Sequence, residues 1–366
     1  MTRSNEADPA WRLAVDTTGM YTAQAGVARY IRGLLRGLSE LGTSSPEVHP
    51  IAWEVENFGY RQPQRAMKTA YRELVWAPWI GPSQVRSSGA EVFLSTSSAF
   101  VTPPQGIGNV VVIHDVVALR FPEKFRRWAR LTGPARLRQA ARADRIVCIS
   151  RFTAEEVMSL LEVPASKIDV VWNGCEFHPS LPIPEEEPLD PPPPTDFFLF
   201  VGSLEPAKNL ELLRRAYLLA QSQGVQLPEL LIVGVRWEGV EREGESPNNW
   251  RYLGRVSDGV LVHLYRRARA LVFPSLYEGF GLPLVEAMAL DCPTICSPIA
   301  SMKEIGAQGA SHFAEQTPQS FLDAMTLLAN NDERRRELIE AGRRRVAPIT
   351  WKRCASETLA ACESVR

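Results

Sequence analysis

Residues 273–289 read FPSLYEGFGLPLVEAMA and are the most informative stretch of the chain. They begin at the end of an apolar run and continue into a helical pattern. Pro283 suits the first turn of that helix, because the backbone N–H that proline lacks has no helical partner there. A buried strand that turns directly into a helix is typical of sheets covered by helices. The stretch therefore predicts an α/β fold with a doubly wound sheet.

Two carboxylates in this stretch, Glu278 and Glu286, are separated by eight positions. Between them, Gly279 and Gly281 allow backbone N–H groups to approach a ligand closely. The N-terminus of a helix favours anions such as phosphate. We expect Glu286 on the first turn of the helix, within reach of ribose hydroxyls, and Glu278 beside a sugar. The alternative is a tight strand-to-helix turn that carries two surface glutamates.

Apolar runs and helical patterns alternate on both sides of one proline-rich stretch. Residues 181–195 read LPIPEEEPLDPPPPT, and four consecutive prolines favour an extended, semi-rigid linker. We therefore predict a first domain at 1–180, a second at 196–348 and a C-terminal helix within 349–366. Strands are predicted at 11–16, 48–53, 91–95, 109–114, 145–149, 168–172, 197–201, 229–233, 250–253, 270–273 and 293–296. Helices are predicted at 26–41, 153–162, 208–223, 258–267, 283–290, 331–345 and 352–364.

Composition excludes several classes of protein. Of 366 residues, 45% are hydrophobic and 23% are charged, as in ordinary globular chains rather than disordered ones. Lys and Arg number 41 and Asp and Glu number 42, which argues against a globally basic nucleic-acid-binding protein. Six cysteines are too few for a disulfide scaffold, and the polar N-terminus lacks the apolar core of a signal peptide. With no apolar run long enough to cross a bilayer, we expect a cytoplasmic protein.

A lysine follows another predicted strand, in the stretch FLFVGSLEPAKNL at residues 198–210. Lys208 lies near the start of a predicted helix, where the helix dipole disfavours a cation. An anionic partner would explain this placement, and a diphosphate leaving group is one such partner. The alternative is a solvated lysine in a loop.

His114 ends the run Val-Val-Ile-His at 111–114. Ligands of open α/β sheets bind beyond the carboxyl ends of the strands, so we expect two facing sheets with a site in the cleft between them. A neutral imidazole there would hydrogen-bond a sugar hydroxyl or a leaving group, unless the histidine is a buried structural one bonded to backbone. The loop at 19–29 either caps a bound substrate or is an ordinary connection.

These pieces together resemble the retaining glycosyltransferases of family 4, which have the GT-B fold. The stretch Glu-Gly-Phe-Gly-Leu-Pro-x-x-Glu-Ala is the specific part, and the branch with a Gly-x-Leu-Glu-Pro-x-Lys-Asn loop is the most similar. The resemblance implies two Rossmann-like domains facing across a cleft, with the C-terminal helix at 349–366 packing back on the first domain. It also implies transfer of a hexose from a nucleotide-diphospho-sugar with retention of configuration. Mannose from GDP-mannose is the first candidate, used in the assembly of cell-surface polysaccharide.

The resemblance further implies roles for individual residues. It assigns catalysis to His114, Lys208 and Glu278. It assigns donor binding to Gly26, Gly202, Ser203, Lys208, Arg255, Val256, Glu278, Gly279, Phe280, Gly281, Leu282 and Glu286. Two positions depart from the pattern, because many relatives carry arginine where this chain has Ser203 and Ala207. Lys208 would then be the only side-chain cation of its loop on the diphosphate, unless Arg255 compensates.

The chain contains no Asp-x-Asp motif, the usual metal-chelating pair of metal-dependent sugar transferases. We therefore predict metal-independent transfer without a cofactor, in which lysine and helix-end amides meet the charge of the leaving diphosphate. Because weakened binding is one consequence of the Ser203 and Ala207 departures, a non-catalytic nucleotide-sugar-binding scaffold is one alternative. A nucleotide-sugar epimerase or hydrolase of similar fold is another.

The acceptor, a glycan or a lipid-linked sugar, is expected on the first domain. Residues 57–145 carry fourteen Lys or Arg and five Asp or Glu, an excess of nine positive charges, with aromatic residues interleaved. Such a patch suits peripheral contact with the inner face of an anionic membrane. The alternative is a solvated helical face with buried aromatics. Without a recognisable nucleic-acid module, we expect no nucleic-acid partner.

Overall fold

The computed structural model describes residues 11–22, 26–54, 64–97, 101–121, 127–236 and 244–366. The chain divides into two compact units. The first unit comprises Met1–Gly174 and Trp351–Arg366, and the second comprises Cys175–Thr350. Each unit contains its own parallel sheet. The domain limits drawn from the sequence, at 180, 196 and 348, stay predictions.

The first unit contains a parallel sheet with the strand order β2-β1-β3-β4-β5-β6. Its strands are β1 (Arg12–Asp16), β2 (Glu47–Ile51), β3 (Val92–Ser95), β4 (Gly108–Ile113), β5 (Arg145–Cys148) and β6 (Ile168–Val170). The strands β1, β3, β4 and β5 are almost wholly buried, as expected for a parallel sheet covered on both faces. The strand order changes direction between β1 and β3, which makes the sheet doubly wound.

Of the helices of the first unit before residue 175, those at 26–41 and 153–162 were predicted from the sequence and the others were not. The helices before residue 175 are α1 (Gly19–Thr22), α2 (Gly26–Glu40), α3 (Gln64–Tyr71), α4 (Gly81–Ser87), α5 (Val117–Arg120), α6 (Arg127–Ala140) and α7 (Arg151–Leu161). A π-helical segment, Arg72–Ile80, joins α3 to α4. The helical character of residues 64–87 was not predicted, because Pro78 and Pro82 interrupt the pattern. Trp76, Ala77 and Val85 anchor this segment in the core.

The second unit contains a parallel sheet with the strand order β12-β11-β10-β7-β8-β9. Its strands are β7 (Phe197–Val201), β8 (Glu229–Val233), β9 (Trp250–Gly254), β10 (Ala270–Phe273), β11 (Thr294–Cys296) and β12 (Ser311–His312). This order changes direction between β7 and β10, so the second sheet is doubly wound as well. Both sheets confirm the predicted fold class.

Helices of the second unit pack on its sheet around a core that includes Phe198, Phe200, Tyr217 and Phe321. They are α8 (Leu210–Ser222), α9 (Asp258–Arg267), α10 (Leu282–Ala289), α11 (Ala300–Gly306), α12 (Pro318–Asn330) and α13 (Asp332–Val346). Within the described residues, no helix of either unit is both long enough and apolar enough to cross a membrane.

The proline-rich stretch 181–195 belongs to the second unit. Arg251 donates hydrogen bonds to the carbonyls of Pro191 and Pro192 at 2.7 and 3.1 Å. Arg266 and Arg267 of α9 donate to Glu186 at 2.8 and 2.6 Å. The hydrogen bonds from these two arginines lower the pKa of Glu186 to about 2. Polar side chains of the second unit therefore fasten this stretch along its length.

A final helix, α14 (Trp351–Glu363), belongs to the first unit and packs on α2. A Cβ atom on Gly33 would overlap the indole of Trp351, and one on Gly37 would overlap its carbonyl oxygen. Only glycine at these two positions lets the two helices approach so closely. The indole of Trp351 lies edge-on to Tyr30, with the ring centres 6.0 Å apart.

Candidate functional site

The carboxyl ends of β7 and β10 lie side by side where the second sheet changes direction. The loop after β7 leads to Lys208, and the loop after β10 leads to Glu278. The backbone N–H of Leu276 donates to the carbonyl of Ala207 at 2.8 Å, which ties the two loops together. Open α/β sheets bind their ligands at such a switch point.

Lys208 and Glu278 form an ion pair at this edge, with Nζ and Oε1 2.5 Å apart. Both side chains are largely buried, at 16% and 11% exposure. The Ser275 hydroxyl donates to the same carboxylate oxygen at 2.9 Å. The ammonium also lies 5.8 Å from the centre of the Phe273 ring. A partly buried pair is screened less by salt than a surface pair, so the lysine is held in place at the switch point.

The helix α10 begins directly after the two glycines of the glutamate stretch. Gly281 has a φ of +88°, and a Cβ there would lie 2.6 Å from the Met302 methyl group. Only glycine fits both conditions. The first turn of α10 therefore starts at Leu282, with Pro283 in the first turn as predicted. A helix N-terminus carries partial positive charge, so this turn adds to the electrostatic preference for an anion.

Glu286 lies on the second turn of α10 and not on the first, because the helix starts at Leu282. The alternative of two surface glutamates is wrong, since Glu286 is only 3% exposed. The Tyr265 hydroxyl of α9 donates to its Oε2 at 3.2 Å. Tyr265 was missed in the sequence, because a tyrosine in an amphipathic helix gives no sign of which buried group it meets.

Glycines also shape the ends of β7, β8 and β9. A Cβ on Gly234 would collide with the carbonyl oxygen of Gly202, and the N–H of Gly234 donates to the carbonyl of Gly254 at 2.8 Å. These contacts keep the three loops close together. Arg255 and Val256 follow at the end of β9, with Arg255 exposed. They lie at the same carboxyl edge of the sheet as Lys208, two strands away.

Ser203 and Ala207, the two positions that depart from the family pattern, both have defined contacts or burial in the structure. The Ser203 hydroxyl donates to Glu205 at 2.8 Å, and Ala207 is buried. Leu204 continues as a parallel bridge to Arg236 beyond β8, with its N–H on the carbonyl of Val235 at 3.0 Å. The loop is therefore held by backbone pairing and a serine–glutamate hydrogen bond.

His114 follows β4 in the first unit and is partly buried. Its Nε2 lies 2.8 Å from the carbonyl of Thr96, so Nε2 carries the proton and Nδ1 is an acceptor in the neutral ring. The Tyr30 ring meets the imidazole edge-on, with centres 4.8 Å apart. Burial lowers the pKa of His114, and the Thr96 hydrogen bond and Asp115 oppose this only in part. The hydrogen bond to Thr96 is the one that the structural alternative, a histidine bonded to backbone, requires.

Asp16 is a buried polar group at the switch point of the first sheet, and sequence reasoning missed it. It ends β1, is fully buried, and has one carboxylate oxygen, Oδ2, with no hydrogen-bond partner. Its other oxygen accepts from the Thr18 N–H at 2.9 Å. Burial raises the pKa of Asp16. An acidic residue that closes an apolar run was the signal available in the sequence.

Several predicted features lie outside the described residues. Gly26 opens α2 and is exposed, but residues 23–25 of the predicted capping loop fall outside the described residues. The same holds for residues 57–63, 98–100 and 122–126 of the basic patch. Among the residues that the structure describes, no three His, Cys, Asp or Glu side chains are grouped to hold a metal ion.

Two family descriptions match the chain, one on each side of residue 180. The family described as Glycosyltransferase Family 4 matches residues 25–177. The family described as Glycosyl transferases group 1 matches residues 184–345. Together they cover the second sheet and every strand of the first sheet except β1, and they include His114, Lys208, Glu278 and Glu286.

Similar proteins include two curated mannosyltransferases of Escherichia coli. O-antigen chain mannosyltransferase B is 32% identical over 232 residues, which are 59% of this chain and 60% of that protein. The serotype-specific mannosyltransferase WbdA is 30% identical over 269 residues, which are 67% of this chain and 32% of that protein. The chain thus spans less than two thirds of the length of these relatives.

Among solved structures, sucrose-phosphate synthase from Thermosynechococcus elongatus is similar with a TM-score of 0.69. The match covers 97% of this chain and 98% of that chain at 17% sequence identity. At this identity the likeness concerns the fold, which is the GT-B fold.

The partly buried imidazole of His114 predicts that the stability of the chain depends on pH. Its pKa in the folded chain lies below the ordinary value of 6.5. As pH falls below 6.5, the unfolded chain takes up a proton that the folded chain resists, so stability falls. His114→Gln retains an N–H donor toward Thr96 but does not titrate. The free energy of unfolding of the wild type should fall relative to that variant between pH 8 and pH 5, and parallel curves would contradict this assignment.

Proposed function

Because the chain belongs to glycosyltransferase family 4, we propose that it is a retaining hexosyltransferase. It moves mannose from GDP-mannose to a glycan or a lipid-linked sugar during the assembly of cell-surface polysaccharide. The reaction takes place in the cytoplasm or on the inner face of the membrane. The observation that carries the proposal is the Lys208–Glu278 ion pair beside the first turn of α10, at the switch point of the second sheet.

A diphosphate is the anion that this edge fits. Lys208 supplies a full positive charge, and the first turn of α10 supplies partial charge from backbone amides. When a diphosphate binds, it takes the place of the Glu278 carboxylate on the lysine. Glu278 then accepts hydrogen bonds from hydroxyls of the donor sugar, while Ser275 keeps the carboxylate in place.

Glu286 is proposed to accept hydrogen bonds from the ribose hydroxyls of the nucleotide. A buried carboxylate with a fixed orientation discriminates strongly between ligands that do and do not satisfy it. Tyr265 provides that fixed orientation through its hydrogen bond to Oε2. Gly202, Gly234 and Gly254 lie at the adjoining strand ends, and the close approach of Gly234 to Gly202 keeps these loops together. Arg255 and Val256 are proposed to lie beside the base.

Charge development on the leaving group decides the rate in this proposal. As the bond from the sugar to the diphosphate breaks, negative charge grows on the phosphate oxygen. Lys208 and the α10 amides stabilise that charge more in the transition state than in the bound donor. The acceptor hydroxyl attacks on the same face and passes its proton to the leaving phosphate, which gives retention. Metal-independence follows because these groups meet the charge. The role of His114 toward the donor sugar stays a prediction.

Similarity to mannosyltransferases supports mannose as the transferred sugar. Two E. coli proteins that share 30–32% identity with this chain are mannosyltransferases of O-antigen assembly. Guanine as the base is an inference from the family branch alone.

Thermal unfolding against GDP, UDP, dTDP, ADP and CDP in EDTA tests the donor site. A ligand at a hundred times its dissociation constant stabilises a protein by about 2.7 kcal/mol. We expect GDP to raise the melting temperature in EDTA and the others to raise it less. Subsequent release of GDP from GDP-mannose only with acceptor present would support transfer. Release without acceptor would indicate the hydrolase, and binding without turnover the scaffold. No shift with any nucleotide would contradict the proposal.

Removing the Glu286 carboxylate should weaken nucleotide binding. Glu286→Ala is expected to lower GDP affinity by about 1.5–3 kcal/mol, the range for hydrogen bonds to a charged group. Glu286→Gln keeps the side-chain volume and the contact with Tyr265, and separates lost binding from lost folding. Glu337→Ala on the exposed side of α13 is the matched control and should bind GDP as the wild type does. Unchanged affinity in both Glu286 variants would refute the ribose assignment.

A further inference from the structure

Tyr30 is a buried tyrosine of α2 that contacts both the final helix and His114 within the first unit. It is only 1% exposed. Its ring is perpendicular to the His114 imidazole, with an interplanar angle of 83° and ring centres 4.8 Å apart. The same ring meets the indole of Trp351 at an angle of 70°. Aromatic rings attract each other in such edge-to-face arrangements, so His114 and α14 are both packed against one tyrosine.

Trp351 gives Tyr30 a firm support. The indole is 1% exposed, and a Cβ atom on Gly33 or on Gly174 would overlap it. Two segments of the first unit, α2 and the one that ends at Gly174, thus close on this side chain. A side chain packed this densely has little room to change its rotamer. Tyr30 therefore cannot move away from His114 on this side without disturbing α14.

The hydrogen bond to Thr96 fixes only one end of the His114 imidazole. Nε2 donates to the Thr96 carbonyl, and the Thr96 hydroxyl in turn donates to the carbonyl of Asp16 at 2.6 Å. A ring held at one nitrogen is still free to turn about that hydrogen bond. The perpendicular ring of Tyr30 removes this freedom, because turning the imidazole would break the edge-to-face contact. Nδ1, which no described residue hydrogen-bonds, is thereby held in one direction.

The ring of Tyr30, and not its hydroxyl, makes the contact with His114. The hydroxyl oxygen is buried beside Thr358 of α14 and has no hydrogen bond of ordinary geometry. A buried hydroxyl without such a bond costs stability rather than adding to it. Phenylalanine would therefore retain the part of the side chain that faces the imidazole.

We propose that Tyr30 is a positioning residue whose ring holds the His114 imidazole in the orientation in which Nδ1 accepts a hydrogen bond from the donor sugar. The inference rests on the proposed function, because that function gives His114 its role. A small displacement of a group from its productive geometry lowers the rate of a reaction strongly. A merely structural tyrosine would support the fold without affecting the chemistry of His114.

Tyr30 also contributes to the burial that lowers the pKa of His114. Asp115, the charged side chain that acts on this imidazole, opposes the shift, as does the Thr96 carbonyl. A smaller side chain at position 30 would admit water, so the pKa of His114 should rise toward 6.5. Because Nδ1 is an acceptor only in the neutral ring, the loss of activity at low pH should then begin at a higher pH.

Titration of the histidine side chains by NMR tests the proposal on the full chain without a ligand. The spectrum of His114→Gln identifies the His114 signal. We expect Tyr30→Leu to raise the pKa of His114, and Tyr30→Phe to leave it at the wild-type value. Tyr30→Met repeats the test with a more adaptable side chain if the leucine variant does not fold.

Tyr217→Leu is the matched control for the loss of a buried tyrosine. Tyr217 is 1% exposed and lies edge-on to Trp250 at 5.7 Å, but it belongs to the second unit. This variant should lower the melting temperature without changing the titration of His114. A change of the His114 pKa that follows stability alone would appear in both leucine variants and would contradict the positioning role.

Release of GDP from GDP-mannose in the presence of a mannose-terminated oligosaccharide gives the second readout. Tyr30→Leu should lower kcat about tenfold and leave the thermal shift with GDP unchanged, since the nucleotide residues belong to the second unit. Tyr30→Phe should have the wild-type kcat. Because Tyr30 acts through His114, adding Tyr30→Leu to His114→Gln should cost no further activity.

The outcomes separate this inference from the function on which it rests. An unchanged pKa of His114 in Tyr30→Leu, or additive losses of kcat in the double variant, would overturn the role of Tyr30. An equal loss of kcat in Tyr30→Phe would assign the effect to the hydroxyl and overturn it as well. A wild type that releases no GDP would contradict the proposed function, while the titration would still decide whether Tyr30 holds His114.

Discussion

The ion pair between Lys208 and Glu278 is the interaction on which the site depends. It forms because the second sheet changes direction between β7 and β10, which brings the loops after these strands together. The backbone hydrogen bond from Leu276 to Ala207 fixes the separation of the two loops. The fold itself therefore brings the side chains of Lys208 and Glu278 into contact. In the proposed function a diphosphate replaces Glu278 on this lysine, since a diphosphate carries more charge than a single carboxylate.

Around this pair, the rest of the second unit supplies rigidity. Gly281 turns the chain so that α10 starts beside the pair, and Tyr265 holds Glu286 from the neighbouring helix. The two strands that lead to the pair, β7 and β10, are fully buried, so their carboxyl ends have little freedom to shift. The proposal that this edge binds the donor rests on the geometry of the Lys208–Glu278 pair and on the family, whereas mannose rests on the similar proteins and guanine on the family branch.

Sequence reasoning located every described strand except β12, because most strands are short apolar runs and the central ones are buried on both faces, as in Phe197–Val201. It located half of the fourteen α-helices in the described residues. The placement of Glu278 and Lys208 in loops after buried strands was also predicted, since each residue follows an apolar run. Tyr265 could not be found, because its partner lies 21 residues away on another helix. The exposure of Met67, Leu74 and Trp79 could not be predicted from the sequence. Apolar residues at helical spacing give the same pattern whether they face the core or the solvent. The close packing of Trp351 on Gly33 could not be predicted either, because a glycine within a helix ordinarily indicates only a lower helix propensity.

The most direct test of this account is the affinity for the preferred nucleoside diphosphate, measured by calorimetry in EDTA for wild type, Lys208→Met and Glu278→Gln. The account predicts that Lys208→Met binds about tenfold or more weakly, the loss expected for a charged hydrogen bond. It predicts that Glu278→Gln binds more tightly, because the carboxylate that competes for Lys208 is gone. Wild-type affinity in Lys208→Met, or an equal loss in both variants, would contradict the claim that a diphosphate replaces Glu278 on this lysine.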